Sequence, residues 1–300
     1  MTNRAQIRML PDERRLHMQD GPIDVIVEAF GEAREIEFAY RAATDRFVNI
    51  LDELCGELAL LRRPACEESA VSGVVARRML AAVRPYASRT FITPMAAVAG
   101  AVAEEILGVM VAAARLSRAY VNDGGDIALH FDLAAGETFV VGMLERPDKV
   151  SLFGTTTITS RDSIRGIATS GWRGRSFSLG IADAVTVLAD RAAMADAAAT
   201  VVANAVDLPG HSKIGRIAAC ELAPESDLGE RMVTQSVGEL SPDEIREALA
   251  AGARVAESLC NHGLICAAAL NLRGETRVIE SERRPQLIDV STRDGSLVHA

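Results

Sequence analysis

Between Arg191 and Val206 the chain reads RAAMADAAATVVANAV, and hardly a large side chain interrupts the run. Apolar residues recur on a helical period here, so the segment is read as a helix. A helix this poor in bulk lets neighbouring elements approach closely on both sides. Its polar residues, Asp196, Thr200 and Asn204, fall at i, i+4 and i+8 and share one face. Such a stripe is either solvated or turned toward a buried ligand. A carboxylate and a hydroxyl oxygen together suit a hard cation such as Mg²⁺.

The rest of the composition agrees with a closely packed globular chain. Hydrophobic residues make up 49% of the 300 and aromatic residues only 4%, so the core is built from Ala, Val, Leu and Ile. The net charge of −9 argues against a nucleic-acid partner. The cysteines at 55, 66, 220, 260 and 266 are odd in number and lack a CxxC pair. Neither a zinc site nor a disulfide framework is expected, and the setting is read as reducing and cytoplasmic. The opening MTNRAQIRMLPDERRLHM has no apolar signal core. The apolar stretch from Pro94 to Ala114 carries Glu104 and Glu105, so it is read as a buried helix and no membrane partner is expected.

Along the chain, residues 14–30 read as a hairpin turning at Asp20-Gly21-Pro22, and residues 32–62 as one helix ended by Arg63-Pro64. A short helix covers about 70–84. Thr93 and Pro94 suit the N-cap and first position of a long helix running to about Ser117. Strands are expected on both sides of Asp123-Gly124-Gly125, in TFVVGML, near 151–159, in AVTVLA, at 216–222, at 264–272 and in TRVIE. Ser241-Pro242-Asp243-Glu244 opens another helix. Strands and helices mix without a βαβ rhythm. The fold class is therefore α+β, with a mixed, largely antiparallel sheet and packed Ala-rich helices. The boundaries are an extension at 1–13, a single domain at 14–283 and a loose tail at 284–300. The Ala-rich helices could also pack between subunits, so a homo-oligomer is expected.

Three other segments could carry chemistry. Asn122-Asp123-Gly124-Gly125-Asp126 concentrates two carboxylates and an amide around a turn whose glycines allow close approach of a ligand; plain hairpin chemistry explains the same residues. Residues 90–100 would expose N–H groups at a helix start, where an anion can sit; close packing of a core helix explains them equally. Ala168 to Arg175, ATSGWRGR, joins small residues, the single tryptophan and two arginines. Arg for charge and Trp for stacking suit a phosphorylated ligand, and an exposed surface loop has the same composition. No GxSxG, Walker A or GxGxxG motif is present.

In this order the segments resemble the ApbE-like superfamily of flavin transferases, and in particular an uncharacterised branch of it. YVNDGGDIAL at 120–129 is similar to that family's Asn-Val-Gly-Gly-Asp-Ile strand, IATSGW at 167–172 to its Ala-Thr-Ser-Gly loop, and MADAAAT at 194–200 to its Leu-Ala-Asp-Ala-Leu-Ser-Thr segment. The likeness runs from about residue 10 to 280 and implies an ApbE-like fold. It also implies FAD and Mg²⁺ as cofactors, with Asp196 and Thr200 as the metal ligands. Asp196 and Asp126 would be the catalytic carboxylates. Asn122, Gly124, Gly125, Asp126, Ser170, Gly171, Arg173 and Arg175 would bind the phosphorylated small molecule. The family moves FMN from FAD to a threonine of a protein acceptor, and some members hydrolyse FAD to FMN and AMP. Two departures stand out. The family's lysine in Gly-Gly-Ile-Ala-Lys-Gly becomes Ala99. Its His-Ile-Ile-Asp-Pro-Arg-Thr-Gly segment gives way to FSLGIADAVTV at 177–187, where Asp183 is the candidate replacement carboxylate. A non-catalytic cofactor-binding or assembly protein of the same fold is the alternative.

Overall fold

The computed structural model describes residues 4–66, 70–134, 136–146, 149–281 and 288–289. In chain order the elements are β1 (Gln6–Met9), β2 (Leu16–Asp20), β3 (Ile23–Phe30), α1 (Ala33–Gly56), α2 (Leu58–Leu61), α3 (Val74–Val83), α4 (Val98–Ala113), β4 (Arg118–Asp123), β5 (Asp126–Phe131), β6 (Thr138–Arg146), β7 (Lys149–Thr159), β8 (Gly166–Ser170), β9 (Ala184–Ala189), α5 (Ala192–Ala205), β10 (Ile214–Ala218), α6 (Ala219–Leu222), β11 (Met232–Val237), α7 (Pro242–Asn261), β12 (Ala267–Leu272), β13 (Glu275–Glu280) and β14 (Ile288–Asp289). The class is α+β, as the mixed pattern implied.

The chain forms two compact units. One holds Met1–Thr138, Thr159–Ala168 and Ala189–Ala197; the other holds Phe139–Ile158, Thr169–Leu188 and Ala198–Ala300. The single domain expected over 14–283 spans both. Residues 6–9, inside the expected extension, form β1 and pair with β2. Of the expected tail, residues 288–289 form β14 on β7, and 284–287 and 290–300 lie outside the described residues.

In the first unit the strands follow the order β1-β2-β3-β4-β5-β8, each antiparallel to its neighbour. Met18, Val25, Val27 and Val121 alternate onto one face and are fully buried. α1 and α4 pack on these strands. In the second unit β9, β12 and β13 are antiparallel neighbours, β10 pairs with β11, and β14-β7-β6 form a third group. β9 and β12 are buried along their whole length, which explains their near-continuous Ala, Val and Leu sequences.

Several sequence expectations are corrected. The helix over 32–62 breaks at Glu57, whose φ of −112° leaves the helical range, and resumes as α2. Glu57 turns its carboxylate to Ser72 and Gly73 at the start of α3. The helix expected from Pro94 begins with a 3-10 turn at Pro94–Ala97. The α-helix starts only at Val98, and Thr93 makes no side-chain cap. The strand expected at 216–222 ends at Ala218 and turns into α6. β11, MVTQSV, is not among the expected strands.

α4 and the turn before it, Pro94–Ala113, are long and apolar enough to cross a membrane by length and composition. Both glutamates of α4 are instead engaged inside the first unit. Glu105 lies 2.7 Å from Arg46 and 3.1 Å from Arg78, and Glu104 lies 3.1 Å from Arg78 and 2.8 Å from Arg191. Burial alone would raise the Glu105 pKa, but the two guanidinium groups hold it below the usual range. α4 is thus packed as a core helix.

Candidate functional site

The first-unit site is built where α4 and α5 start side by side. Gly100 sits so close to α5 that a Cβ there would lie 2.4 Å from the carbonyl oxygen of Ala192, which only glycine permits. At this crossing each helix caps the other. Glu104 of α4 accepts a 2.9 Å hydrogen bond from the N–H of Ala193, in the first turn of α5. Asp196 of α5 accepts one of 3.0 Å from the N–H of Gly100 and another from that of Ala99, in the first turn of α4. The orphan N–H groups of two helix starts are thereby met by carboxylates. The anion expected at the start of the 94–117 helix is therefore the chain's own Asp196.

Enclosure by protein pushes the Asp196 pKa up to about 7; the bonds from Gly100 and Ala99 oppose the shift and the nearby Asp123 charge adds to it. The residue keeps part of its surface accessible, so solvent moderates the push. Thr200 stands one helical turn further along α5 and is half-buried. Asn204, the third residue of the stripe, has a different task. Its Oδ1 accepts from Ser178 Oγ at 3.1 Å and from the Leu179 N–H at 2.9 Å, fastening the segment before β9.

The Asn122–Asp126 segment forms the tight β4–β5 hairpin. Gly124 and Gly125 have φ of +63° and +113°, and Asn122 Oδ1 accepts from the Gly125 N–H at 2.8 Å. Both glycines are exposed, and a Cβ on Gly125 would meet nothing within 4 Å. Here glycine is required by backbone conformation rather than by a close neighbour. Asp123 and Asp126 are directly paired across the turn, so their side chains leave the sheet on the same face. That face carries the buried valines and faces α4. Asp123 is 4% exposed and accepts from the Asp24 N–H at 3.3 Å, while Asp126 is half-buried. His130 pairs with Ala119, away from the turn, and burial lowers its pKa.

The second-unit site is the segment after β8. Ser170 is half-buried at the strand end, Gly171 is buried, Trp172 and Arg173 are half-buried, and 174–177 are exposed. Asp183, 2% exposed, gathers the segment. Its Oδ1 accepts from Trp172 Nε1 at 3.1 Å and from Arg173 Nε at 2.7 Å. Its Oδ2 accepts from the Arg273 N–H at 2.7 Å. The Arg173 guanidinium also lies 4.2 Å from the centroid of the Trp172 ring. Arg173, expected to meet phosphate, is therefore committed to an internal ion pair, while Arg175 remains exposed.

Residues 7–278 match the family described as AbpE bacteria. The chain belongs to this ApbE-like family. It is similar to a UPF0280 protein of Methanococcoides burtonii, 41% identical over 124 residues covering 41% of this chain and 49% of that one. A UPF0280 protein of Methanosarcina acetivorans is 38% identical over 144 residues, 48% of this chain and 52% of the relative. The chain thus matches about half the length of these curated relatives. Among solved structures, the apo form of the flavinyl transferase ApbE of Pseudomonas stutzeri aligns with 93% of this chain and 94% of its own, at 10% identity and a TM-score of 0.46. The flavin transferase ApbE of Vibrio cholerae aligns with 93% and 98%, at 11% identity and a TM-score of 0.37.

Sequence reasoning named Asp196, Asp126 and the Trp-Arg segment of this family member. It passed over Asp123 as a neighbour of Asp196, and it offered Asp183 only as a replacement carboxylate. A periodicity argument ranks residues within one element, and both missed relations join residues far apart in sequence.

Asp196 and Thr200 offer oxygen donors from one face of α5, and an enclosed negative charge beside Asp123 is the kind a divalent cation relieves. Among the described residues no cluster of three or more His, Cys, Asp or Glu could hold a metal. That donor set fits Mg²⁺, which is bound through one or two carboxylates plus ligand phosphates and keeps several waters.

Proposed function

We propose that this chain is a magnesium-dependent enzyme of flavin-transferase type, acting on FAD or another phosphorylated nucleotide-like ligand. The observation that carries the reading is Asp196: a carboxylate enclosed enough to have its pKa raised, yet partly accessible, fixed by two backbone N–H groups and one turn from Thr200. Asp196 and Thr200 would hold Mg²⁺, which when bound offsets charge on the pyrophosphate and orients its leaving group. Asn122, Gly124, Gly125 and Asp126 at the hairpin, and Ser170, Gly171, Arg173 and Arg175 in the second unit, are assigned to the ligand. In transfer, a hydroxyl oxygen of a protein acceptor attacks the FMN phosphorus, the pyrophosphate P–O bond breaks and AMP leaves. The proton of that hydroxyl needs a base, and Asp126 is the carboxylate assigned to take it. Cys55, Cys66, Cys220, Cys260 and Cys266 form no disulfide, which supports the reading of a reducing, cytoplasmic setting.

The test is product analysis of FAD incubated with the chain and Mg²⁺, with and without an acceptor protein. FMN, AMP or flavinylated acceptor is expected with wild type and lost in Asp196→Ala. Turnover unchanged in that variant defeats the assignment. Ala99 at the position of the family's lysine and the commitment of Arg173 to Asp183 favour a second reading, a binding protein that does no chemistry. Tight FAD binding with no product after long incubation would select it.

A further inference from the structure

The Asp183 centre is more than a replacement carboxylate. Asp183 is a buried anion with donors from two separate places in the chain, the segment after β8 and the β12–β13 turn. Burying an ion pair is a costly way merely to fasten a loop, because desolvation offsets much of the attraction and an apolar contact would serve as well. What the ionic arrangement adds is orientation. The Trp172 N–H is spent on Asp183, which fixes the indole about its own axis. Arg173 Nε is spent on the same oxygen, which holds the guanidinium over the indole, 4.2 Å from its centroid. The result is a half-buried plane of an aromatic ring and a guanidinium, at the edge of the exposed run 174–177. Arg175 in that run is exposed. Stacked aromatic and guanidinium planes are surfaces on which planar bases lie.

From this geometry we infer that Trp172 and Arg173 form a stacking platform for the planar ring of a phosphorylated nucleotide, and that Asp183 is its positioning residue. The inference rests on the nucleotide reading above and adds to it which residues meet the ring. The Trp172 face supplies the stacking surface, and Arg173 supplies charge above the ring and a rigid orientation. Asp183 touches no ligand. It acts only through the two side chains it holds.

The test is a calorimetric titration of FAD, with Mg²⁺ present, into wild type, Trp172→Phe, Trp172→Leu and Asp183→Ala. Phe and Leu both delete the N–H that Asp183 accepts, so a loop staple alone makes them equivalent. A stacking platform separates them. Trp172→Phe, which keeps a ring and leaves Arg173 held by Asp183, is expected to stay within about threefold of wild-type affinity, while Trp172→Leu and Asp183→Ala, which removes the acceptor of both side chains, weaken binding at least tenfold. If Asp183→Ala does not fold, the contrast between Phe and Leu decides alone. Equal affinities for Phe and Leu overturn the inference while wild-type FAD binding leaves the functional reading standing. If wild type binds AMP but not FAD, the flavin reading fails and the same contrast is read with AMP. A wild-type chain that binds neither FAD, FMN nor AMP overturns both.

Discussion

At Gly100 a single methyl group decides whether two helices can meet. The alanine Cβ would lie 2.4 Å from the Ala192 carbonyl, and both backbones are fixed by their helices. Gly100→Ala is expected to cost about 1–3 kcal/mol, read by urea denaturation, because overpacking cannot be relieved by a rotamer change. A stability equal to wild type would mean that α5 is free to move away. Asp196→Asn addresses the next question at this crossing. The amide oxygen can still accept from Gly100, so the cap persists while the charge is lost. Stability is expected to stay near wild type and Mg²⁺-dependent FAD binding to disappear; collapse of the fold would instead make Asp196 a structural residue. Asp196 itself was legible because it and Thr200 are the exceptions in a run of Ala and Val. Its partners were not, since Gly100 and Asp123 lie 96 and 73 residues away and approach only when α4 and β4 pack.

At the scale of elements, local chemistry was read most successfully where a turn or cap needs a specific residue. Gly21-Pro22 and Gly124-Gly125 are the loops of two-residue hairpins, and Ser241 with Glu244 forms a complete capping box on α7. Ser241→Ala is expected to cost about 1 kcal/mol in an equilibrium denaturation measurement. Glu244 adds a pH dependence. Its carboxylate accepts from the Ser241 N–H and then from His211, which lowers its pKa to about 2. A lowered pKa means that the charged form stabilises the fold above the ordinary value of 4.5, and that this contribution is lost as pH falls toward 2. The stability gap between wild type and Glu244→Ala should therefore be widest near neutrality and narrow in acid; a gap independent of pH would contradict it. Helix boundaries were the poorest reading. Gly56, just before the break at Glu57, is a local signal that the periodic reading passed over, whereas nothing local to Ala97 announces a break. One helix ends where Glu57 is drawn to the start of α3, and the other begins late because Pro94–Ala97 winds as a 3-10 turn.

For the molecule as a whole, the irregular mixing of strands and helices, without a βαβ rhythm, was enough to set α+β and a largely antiparallel sheet. The division into two units was not visible, because the chain passes between them repeatedly and no linker composition marks the crossings. A ligand that binds the folded chain and not the unfolded one raises its stability by mass action. The most direct measurement is a thermal-melt comparison of wild type and Asp196→Ala with FAD, with and without Mg²⁺. A ligand at a hundred times its dissociation constant adds ~2.7 kcal/mol, which a shifted melting temperature reveals. The account predicts a rise for wild type with FAD that requires Mg²⁺ and vanishes in Asp196→Ala. No rise with FAD under either condition, or the same rise in both proteins, would contradict it.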